Sequence, residues 1–300
     1  SCGRKVRSEI PSAVSSDTAA KDSSPATTDA AGSRDNTPVV LTGSADGTVT
    51  YGNDSVTVDA SHTEEGYLMV SYSGSNSKVK LQITGSDEIT YTYNLHDGYE
   101  TFPLTSGSGS YTVGVFENIE GTSYSTLFTQ AIDVTIQDEF GPYLYANQYV
   151  NFSADSKVIS KAMELSASAN DDLEVIENVY NYIITNFTYD YDKAASVQSG
   201  YLPNVDEVLA SQTGICFDYA TVMASMLRCE RIPTRLEVGY MGDVYHAWIS
   251  TYIKDKGWVN GIIEFDGNDW KLMDPTFAST SSDPKDFLTQ TDEYITKYVY

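Results

Sequence analysis

The chain has 300 residues, 41% of them hydrophobic, which is enough for two modest domains that each have their own core. Aspartate and glutamate number 42 against 18 lysines and arginines, so the formal net charge is −24 and nucleic acid is excluded as an expected partner. No run of about 18 apolar residues occurs, so we expect no membrane-spanning helix.

Residues 1–38 are predicted to form a disordered tether, because they contain too little apolar surface to bury. Cys2 follows Ser1 and precedes Gly3-Arg4-Lys5, and this start resembles that of a bacterial lipoprotein whose signal peptide has been removed. The resemblance implies a lipid on Cys2, a location on the outer cell surface, and membrane contact through that anchor alone. The sizeable apolar side chains of the tether are Val6, Ile10 and Val14.

Residues 39–137 have the pattern of a β domain. Short runs of period two, rich in Tyr, Thr and Val, are bounded by Gly, Ser, Asn and Asp, and they predict an antiparallel β-sandwich of the immunoglobulin-like (Ig-like) kind. His62 and His96 lie in turn-like stretches with no second ligand at metal spacing, so we interpret them as surface histidines. The predicted strands are 48–51, 67–72, 79–84, 89–93, 111–116 and 131–136.

Residues 138–300 begin with a helical period and then return to alternation. Asp171 and Asp172 suit the start of one helix, and Asn204 suits the cap of another. Helices followed by an antiparallel sheet predict an α+β domain. The predicted helices are 156–166, 171–187, 204–210 and 215–228, and the predicted strands are 236–240, 245–253, 258–265 and 270–274, the last two joined by a turn at Asp266-Gly267.

Cys216 lies in the first turn of the predicted helix 215–228. Backbone N–H groups and the helix dipole at such a position stabilise a thiolate and could hold a tetrahedral oxyanion. Gly214 lets the chain turn sharply before the helix and leaves room for a substrate carbonyl. A structural cysteine would show the same apolar neighbours at helical spacing. That face, which we expect to pack inward, carries Ala220, Met223 and Leu227.

A free thiol at Cys216 is what nucleophilic chemistry requires. Cys229 lies on the same predicted helix, 229 − 216 = 13 residues further on, and is therefore about 20 Å away. A disulfide needs Cα atoms within about 7 Å, so we predict that these two cysteines are not bridged.

His246 and Asp274 follow Cys216 in an order that suits a nucleophile, a base and an orienting group. His246 falls in a predicted strand, with Trp248 on the same face. Asp274 ends a later strand, ahead of a proline, where it could accept a hydrogen bond from the imidazole and select its tautomer.

Four segments together resemble the transglutaminase-like superfamily, in its secreted bacterial branch, over about residues 150–280. The resemblance implies a papain-related α+β core in which Cys216 is the nucleophile, His246 the general base and Asp274 its orienter. The segments are Thr213-Gly214-Ile215-Cys216-Phe217-Asp218-Tyr219-Ala220, Arg231-Ile232-Pro233-Thr234-Arg235, Tyr245-His246-Ala247-Trp248 and Leu272-Met273-Asp274-Pro275-Thr276.

Weaker candidates surround these three residues. Gln212 could donate a hydrogen bond to an oxyanion, and either Tyr191 or Tyr189 could supply a hydroxyl donor, although each also suits a plain structural role. Trp248 is interpreted as a wall of the site. Asp218 and Tyr219 belong to the resembling segment, and we expect them to stabilise the start of the helix rather than to react.

The sequence therefore predicts a cysteine-dependent enzyme that acts on amide bonds of a protein or peptide substrate through a thioester at Cys216. An amine acceptor would give cross-linking and water would give hydrolysis. One alternative is a cysteine peptidase or amidase without cross-linking activity, and another is a non-catalytic surface adhesion or wall-binding module that keeps the fold. We recognise no metal-ligand cluster in the sequence, so no cofactor is predicted and activity is expected to survive chelation.

Overall fold

A computed structural model of the protein describes residues 31–261, 263–265, 270–272 and 294–300. The chain divides into two compact units, which we call the β unit and the α+β unit. The β unit comprises Leu41–Tyr149, Gln198–Leu202 and Tyr300. The α+β unit comprises Val150–Val197, Pro203–Val299 and the described residues up to Val40.

The β unit contains two four-stranded antiparallel sheets. Its strands are β1 (Thr50–Gly52), β2 (Val56–Asp59), β3 (Tyr67–Tyr72), β4 (Val79–Thr84), β5 (Thr90–Asn94), β6 (Glu100–Pro103), β7 (Gly109–Glu120) and β8 (Ser123–Val134). One sheet has the order β1-β2-β3-β6 and the other has the order β5-β4-β7-β8. The β-rich, antiparallel character predicted for this region is therefore correct.

Alternation of side chains explains why these segments form half-buried strands. In β4, Val79, Leu81 and Ile83 are buried and the residues between them are only partly buried. The ring of Tyr93 in one sheet lies 4.7 Å from the ring of Phe102 in the other, so aromatic side chains join the two buried faces.

The two histidines of the β unit lie at its surface, as predicted. The His62 side chain is 26% exposed and pairs with the carboxylates of Asp46 and Glu65. The His96 side chain is 51% exposed, and its Nδ1 lies 3.0 Å from a carboxylate oxygen of Glu100.

Five helices are described in the α+β unit, and their caps are local. They are α1 (Lys157–Ser166), α2 (Asp172–Asn186), α3 (Tyr191–Ser196), α4 (Val205–Ser211) and α5 (Cys216–Cys229). The Asp171 carboxylate accepts the Glu174 N–H at 2.9 Å, and the Asn204 side chain accepts the Glu207 N–H at 3.1 Å. These contacts confirm both predicted helix starts.

The strands of the α+β unit form one antiparallel sheet and two small strand pairs. They are β9 (Thr188–Tyr189), β10 (Thr213–Gly214), β11 (Thr234–Met241), β12 (Val244–Ile253), β13 (Gly257–Gly261), β14 (Ile263–Phe265), β15 (Trp270–Leu272) and β16 (Tyr294–Val299). The sheet has the order β13-β12-β11-β16, β9 pairs with β10 in parallel, and β14 pairs with β15.

Two features of these strands differ from the prediction. The single strand expected over 258–265 is described as β13 and β14, which belong to different strand pairings. Strands β9, β10 and β16 were not predicted, and β16 pairs antiparallel with β11. The predicted hairpin itself is confirmed, because Ile263 pairs with Leu272.

Helix α5 is the buried centre of the α+β unit. It contacts α1, α2 and α4 as well as strands β11 and β12. Every residue from Asp218 to Cys229 is buried, whereas the sequence predicted a single inward face. The reason is that this stretch carries no charged side chain between Asp218 and Arg228, and a helix that is apolar on all sides is stable only when surrounded.

Residues 31–38 are not part of a free tether, contrary to the predicted boundary at residue 38. The Gly32 N–H donates to the Ala167 carbonyl at 2.8 Å, and the Val39 N–H donates to the Cys229 carbonyl at 2.8 Å. Arg34 donates from Nε to Asp172 at 2.7 Å and from a terminal nitrogen to Glu230 at 3.0 Å. The low apolar content predicted disorder for these residues, and the prediction was wrong because backbone hydrogen bonds and ion pairs hold the segment in place.

In the described part of the chain, each helix is too short or too polar to cross a membrane.

Candidate active site

Cys216 is the first residue of helix α5 and is partly exposed. Helix α4 ends at Ser211, the two-residue strand β10 follows, and Ile215 is the extended residue that precedes the helix. The cysteine therefore lies where backbone N–H groups of a helix begin, as the sequence predicted.

Asp218 and Tyr219 hold the start of α5, which confirms the structural role expected for them. The Asp218 carboxylate accepts the Ile215 N–H at 2.9 Å. The Tyr219 hydroxyl donates to the Thr188 carbonyl at 2.5 Å, and Thr188 pairs with Thr213 between strands β9 and β10. Asp218 therefore bonds to the residue just before Cys216, and Tyr219 bonds to strand β9, which pairs with the strand that precedes Cys216.

The space beside Gly214 is occupied by Asp218. A Cβ atom at Gly214 would lie 2.7 Å from Oδ2 and 2.8 Å from Cβ of Asp218, well inside van der Waals contact. Glycine is therefore needed here for the close approach of a carboxylate. The prediction that Gly214 leaves room for a substrate carbonyl is wrong, because the protein itself fills that room.

Asp218 also makes an ion pair. Its Oδ2 lies 2.8 Å from Nζ of Lys193, and the Asp218 side chain is wholly inaccessible whereas the Lys193 side chain is 27% exposed. Lys193 belongs to the short helix α3, which sequence reasoning did not identify. No local signal marks this pair, because the two residues are far apart in sequence.

His246 lies in strand β12 and is 1% exposed. Its ring centroid lies 6.0 Å from that of Trp248 and 5.7 Å from that of Tyr294 in β16. The Trp248 and Tyr294 rings are 5.4 Å apart, with Trp248 2% exposed. Trp248 therefore flanks the histidine, as the predicted alternation requires.

Tyr294 can reach His246 because the strand between them carries a glycine at the facing position. Gly239 of β11 pairs with His246 on one side and with Thr296 of β16 on the other. A Cβ at Gly239 would lie 1.9 Å from the Ile295 carbonyl oxygen, so only glycine permits this approach of β16. The richness of residues 294–300 in Tyr, Ile, Thr and Val was the available signal for a strand here, and sequence reasoning missed it.

The structure places the predicted nucleophile and base on neighbouring elements, since helix α5 packs against strand β12. Asp274, the predicted orienting residue, lies outside the described residues, as does Cys2. Strand β15 is described over Trp270–Leu272. The roles assigned to Cys216, His246 and Asp274 accordingly stay predictions.

The two weaker oxyanion candidates occupy defined positions. Gln212 caps the C-terminal end of helix α4 in a left-handed conformation, and its Nε2 donates to the Tyr182 hydroxyl at 3.3 Å. Tyr191 begins α3, is 53% exposed, and meets the Tyr189 ring edge-to-face at 4.9 Å. Neither contact tests a role toward an oxyanion.

Cys216 and Cys229 are both free thiols, which confirms that they are not bridged. Cys229 is buried at the opposite end of α5, and its thiol donates to the Met226 carbonyl at 3.1 Å. Burial raises the pKa of Cys229 to about 12. This thiol is therefore chemically quiet, and Cys216 is the more accessible of the two.

Possible metal ligands do not gather within the described ranges, where no group of three or more His, Cys, Asp or Glu side chains could hold an ion.

Residues 159–261 match the family model of the transglutaminase-like superfamily. This part of the chain is therefore a transglutaminase-like domain, and the superfamily typically comprises cysteine enzymes. The matched region contains both Cys216 and His246 and ends before Asp274.

The individual proteins that resemble this chain share less than a third of its residues over the matched parts. The UPF0252 protein MJ1282 of Methanocaldococcus jannaschii is 29% identical over 89 residues, which are 28% of this chain and 24% of that protein. A candidate cysteine protease from Cytophaga hutchinsonii shares 13% identity, covers 71% of this chain and 68% of its own, and has a TM-score of 0.37. Red sea bream transglutaminase shares 13% identity over 68% of this chain and 49% of its own, with a TM-score of 0.30. The family assignment rests on the family model.

Proposed function

We propose that the α+β unit is a thiol enzyme acting on amide bonds of proteins or peptides. Cys216 is the nucleophile, His246 is the general base, and Asp274 orients the imidazole. The acyl group is carried as a thioester on Cys216 and is passed to an amine or to water. The proposal depends most on one observation, a partly exposed cysteine at the start of a central helix that is buried from Asp218 to Cys229.

The partial exposure of Cys216, shared only with its neighbour Phe217, is informative because every later residue of α5 is buried. A cysteine kept for packing is normally enclosed, and Cys229 on the same helix is an example. A nucleophile has to meet substrate, and a helix start favours its thiolate form.

The proposed reaction has two steps, acylation of Cys216 and release of the acyl group. The Cys216 thiolate attacks the amide carbonyl carbon, a C–S bond forms, the C–N bond breaks, and the amine leaves with the proton held by His246. In the second step an amine or a water loses a proton to His246 and attacks the thioester carbon, which releases the thiolate. Transfer to an amine creates a new amide, and transfer to water creates a carboxylic acid.

The first experiment measures the reactivity of Cys216. The intact protein and His246→Ala are treated with iodoacetamide across a range of pH, and each cysteine peptide is quantified by mass spectrometry with glutathione as the reference thiol. We expect Cys216 to react about tenfold faster than glutathione near neutral pH, and expect this advantage to be lost in His246→Ala. A Cys216 rate equal to that of glutathione in both proteins would contradict the proposal.

The second experiment identifies the acceptor. The protein is incubated with a glutamine-containing peptide and a fluorescent primary amine, with Cys216→Ser as the matched control. Amine incorporation that disappears in the control identifies acyl transfer, and conversion of glutamine to glutamate without incorporation identifies hydrolysis. Asp274→Asn should slow either reaction by about a thousandfold or more while leaving the fold intact.

The location and the β unit belong to the same proposal. We propose that Cys2 carries a lipid that holds the protein at the bacterial cell surface and that the β unit has an Ig-like topology. Metabolic labelling with a radioactive fatty acid should mark the wild type and not Cys2→Ala. Equal labelling of the two proteins would contradict lipid attachment at Cys2.

A further inference from the structure

The start of helix α5 contains a buried carboxylate two residues after the cysteine. The Asp218 side chain is wholly inaccessible, and it accepts the Ile215 N–H at 2.9 Å. A buried carboxylate bonded to the residue before a thiol disfavours the thiolate, because two negative charges repel each other over several ångströms when they are kept away from water. Asp218 therefore stabilises the helix start but opposes ionisation of Cys216.

Lys193 supplies the opposing charge. Its Nζ lies 2.8 Å from Asp218 Oδ2, with the Asp218 carboxylate enclosed and the lysine side chain 27% exposed. An ammonium at this distance converts the carboxylate from a net negative charge into a neutral pair. With the carboxylate neutralised in this way, the N–H groups and dipole of α5 favour the thiolate alongside the proposed base His246.

The position of Lys193 is set by the segment that precedes the cysteine. The Asp190 carboxylate accepts the Lys193 N–H at 2.9 Å, which caps helix α3. The Asp190 N–H donates to the Gly214 carbonyl at 2.9 Å. Helix α3 is thus bonded to the chain before Cys216 through Gly214 and to the chain after it through Asp218.

Gly214 completes this arrangement. Its missing side chain is what allows the Asp218 carboxylate to lie against the turn, since a Cβ there would come within 2.7 Å of Oδ2. The carboxylate, the lysine and the glycine form one assembly around the first turn of α5.

We propose that Lys193 is a positioning residue that neutralises Asp218 and so permits Cys216 to ionise near neutral pH. This inference rests on the proposed role of Cys216 as a nucleophile. On the neighbouring strand β11, Arg235 stacks on Trp258 and Glu237 accepts from Thr296, so each has a partner of its own. The charged or titratable residues on the described elements around the start of α5 include Tyr189, Asp190, Tyr191, Asp192 and Lys193, then Asp206 and Glu207 of α4, Asp218 and Tyr219 of α5 itself, and Tyr245 and His246 of β12.

The test removes each charge alone and both together. The variants are Lys193→Met, Lys193→Arg, Asp218→Asn and the double variant Lys193→Met with Asp218→Asn. Lys161→Met is the matched control, because it removes a lysine of the same unit that pairs with Glu164 at 3.2 Å on another helix. The readouts are the pH profile of Cys216 alkylation, relative to glutathione, and the thermal midpoint.

Lys193→Met should shift the alkylation profile to higher pH and slow the reaction near pH 7 about tenfold. Lys193→Arg and Lys161→Met should retain the wild-type profile. The double variant should recover most of the lost rate, because it removes the carboxylate together with its partner. Asp218→Asn alone should react at least as fast as the wild type.

Two failures are distinguishable. A wild-type Cys216 no faster than glutathione would overturn the proposed function itself. A fast wild type with an equally fast, folded Lys193→Met would overturn the role of Lys193 alone. A slow double variant that melts like the wild type would also overturn it, since the lysine would then act through structure rather than charge. If Lys193→Met does not fold, Lys193→Arg and the double variant replace it. Both are then expected to alkylate at close to the wild-type rate, and a folded variant of either kind that alkylates slowly overturns the role of Lys193.

Discussion

Cys216 and Cys229 show how far the surroundings of one residue type can diverge along a single helix. Cys216 is partly exposed at the helix start, whereas Cys229 is enclosed at the helix end beside the buried Glu230. Residue type alone assigns equal chemistry to the two thiols. Their reactivity differs because the thiolate, not the thiol, reacts, and burial disfavours charge.

The first prediction concerns selective alkylation. At about pH 8 a thiol of pKa near 12 is ionised to about one part in ten thousand, so native Cys229 should react about a thousandfold more slowly than Cys216. Peptide mapping after a short iodoacetamide pulse measures the ratio. Pulsing in guanidinium chloride is the control and should bring the two rates together. Equal native rates would mean that Cys229 is not protected by the fold.

The second prediction uses His62 in the β unit. Burial alone lowers its pKa, but hydrogen bonds with Asp46 and Glu65 outweigh burial, and the pKa is raised. A raised folded-state pKa adds stability that is fully present below the ordinary histidine pKa and is lost as pH rises through the folded value. Urea unfolding of the wild type should therefore show falling stability across that window, and His62→Gln should lack this component. An identical pH slope in both proteins would contradict it.

At the scale of elements, the segment 31–40 contacts the C-terminal end of α5. Arg34 is 9% exposed and reaches the fully enclosed Glu230, which immediately follows the helix. Burial raises the pKa of Glu230, and Arg34 opposes this effect by hydrogen bonding and charge. Segment 31–40 thus supplies a positive charge to the buried carboxylate at one end of α5, as Lys193 does at the other end.

The third prediction follows from this ion pair. Arg34→Met leaves the Glu230 carboxylate buried without its cation, which should cost about 3 kcal/mol in the free energy of unfolding. The pKa of Glu230 should then rise further, so the deficit should grow as pH rises above the ordinary carboxyl range. Urea titrations at mildly acid and mildly alkaline pH measure the difference. Arg34→Met with Glu230→Gln is the control and should recover part of the loss, and a pH-independent deficit would exclude the electrostatic explanation.

At the scale of the whole molecule, the dominant property is the net charge of −24. The excess negative charges repel one another in the folded state, and they also disfavour the binding of anionic partners. The acidic residues are spread along the chain rather than gathered in one block, so the effect belongs to both units.

The fourth prediction is therefore a stabilising effect of salt. Raising sodium chloride from low to moderate concentration should raise the thermal midpoint by about 2–4 °C, corresponding to about 1 kcal/mol, because the repulsion is screened. Differential scanning calorimetry near pH 7 measures the shift. The same salt change near the pI of about 4.2 is the control and should have little effect. A salt effect of equal size at both pH values would show that screening of net charge is not its cause.

The sequence by itself determined that a β region is followed by an α+β region, and it determined the helix starts at Asp171 and Asn204 and the placement of Cys216 at the start of a helix and His246 in a strand. Capping and side-chain alternation act between residues a few positions apart, so they can be recognised along the chain. The family match at 159–261 rests on the same local segments.

Only the tertiary structure decided which distant residues meet. Lys193 pairs with Asp218, the Tyr294 ring packs on His246 across Gly239, and Arg34 of the segment expected to be a tether pairs with Glu230 just after α5. It also showed that Gly214 accommodates a carboxylate of the protein itself. These contacts join residues that are remote along the chain, and no local pattern specifies them, because they arise from how helices and strands pack around α5.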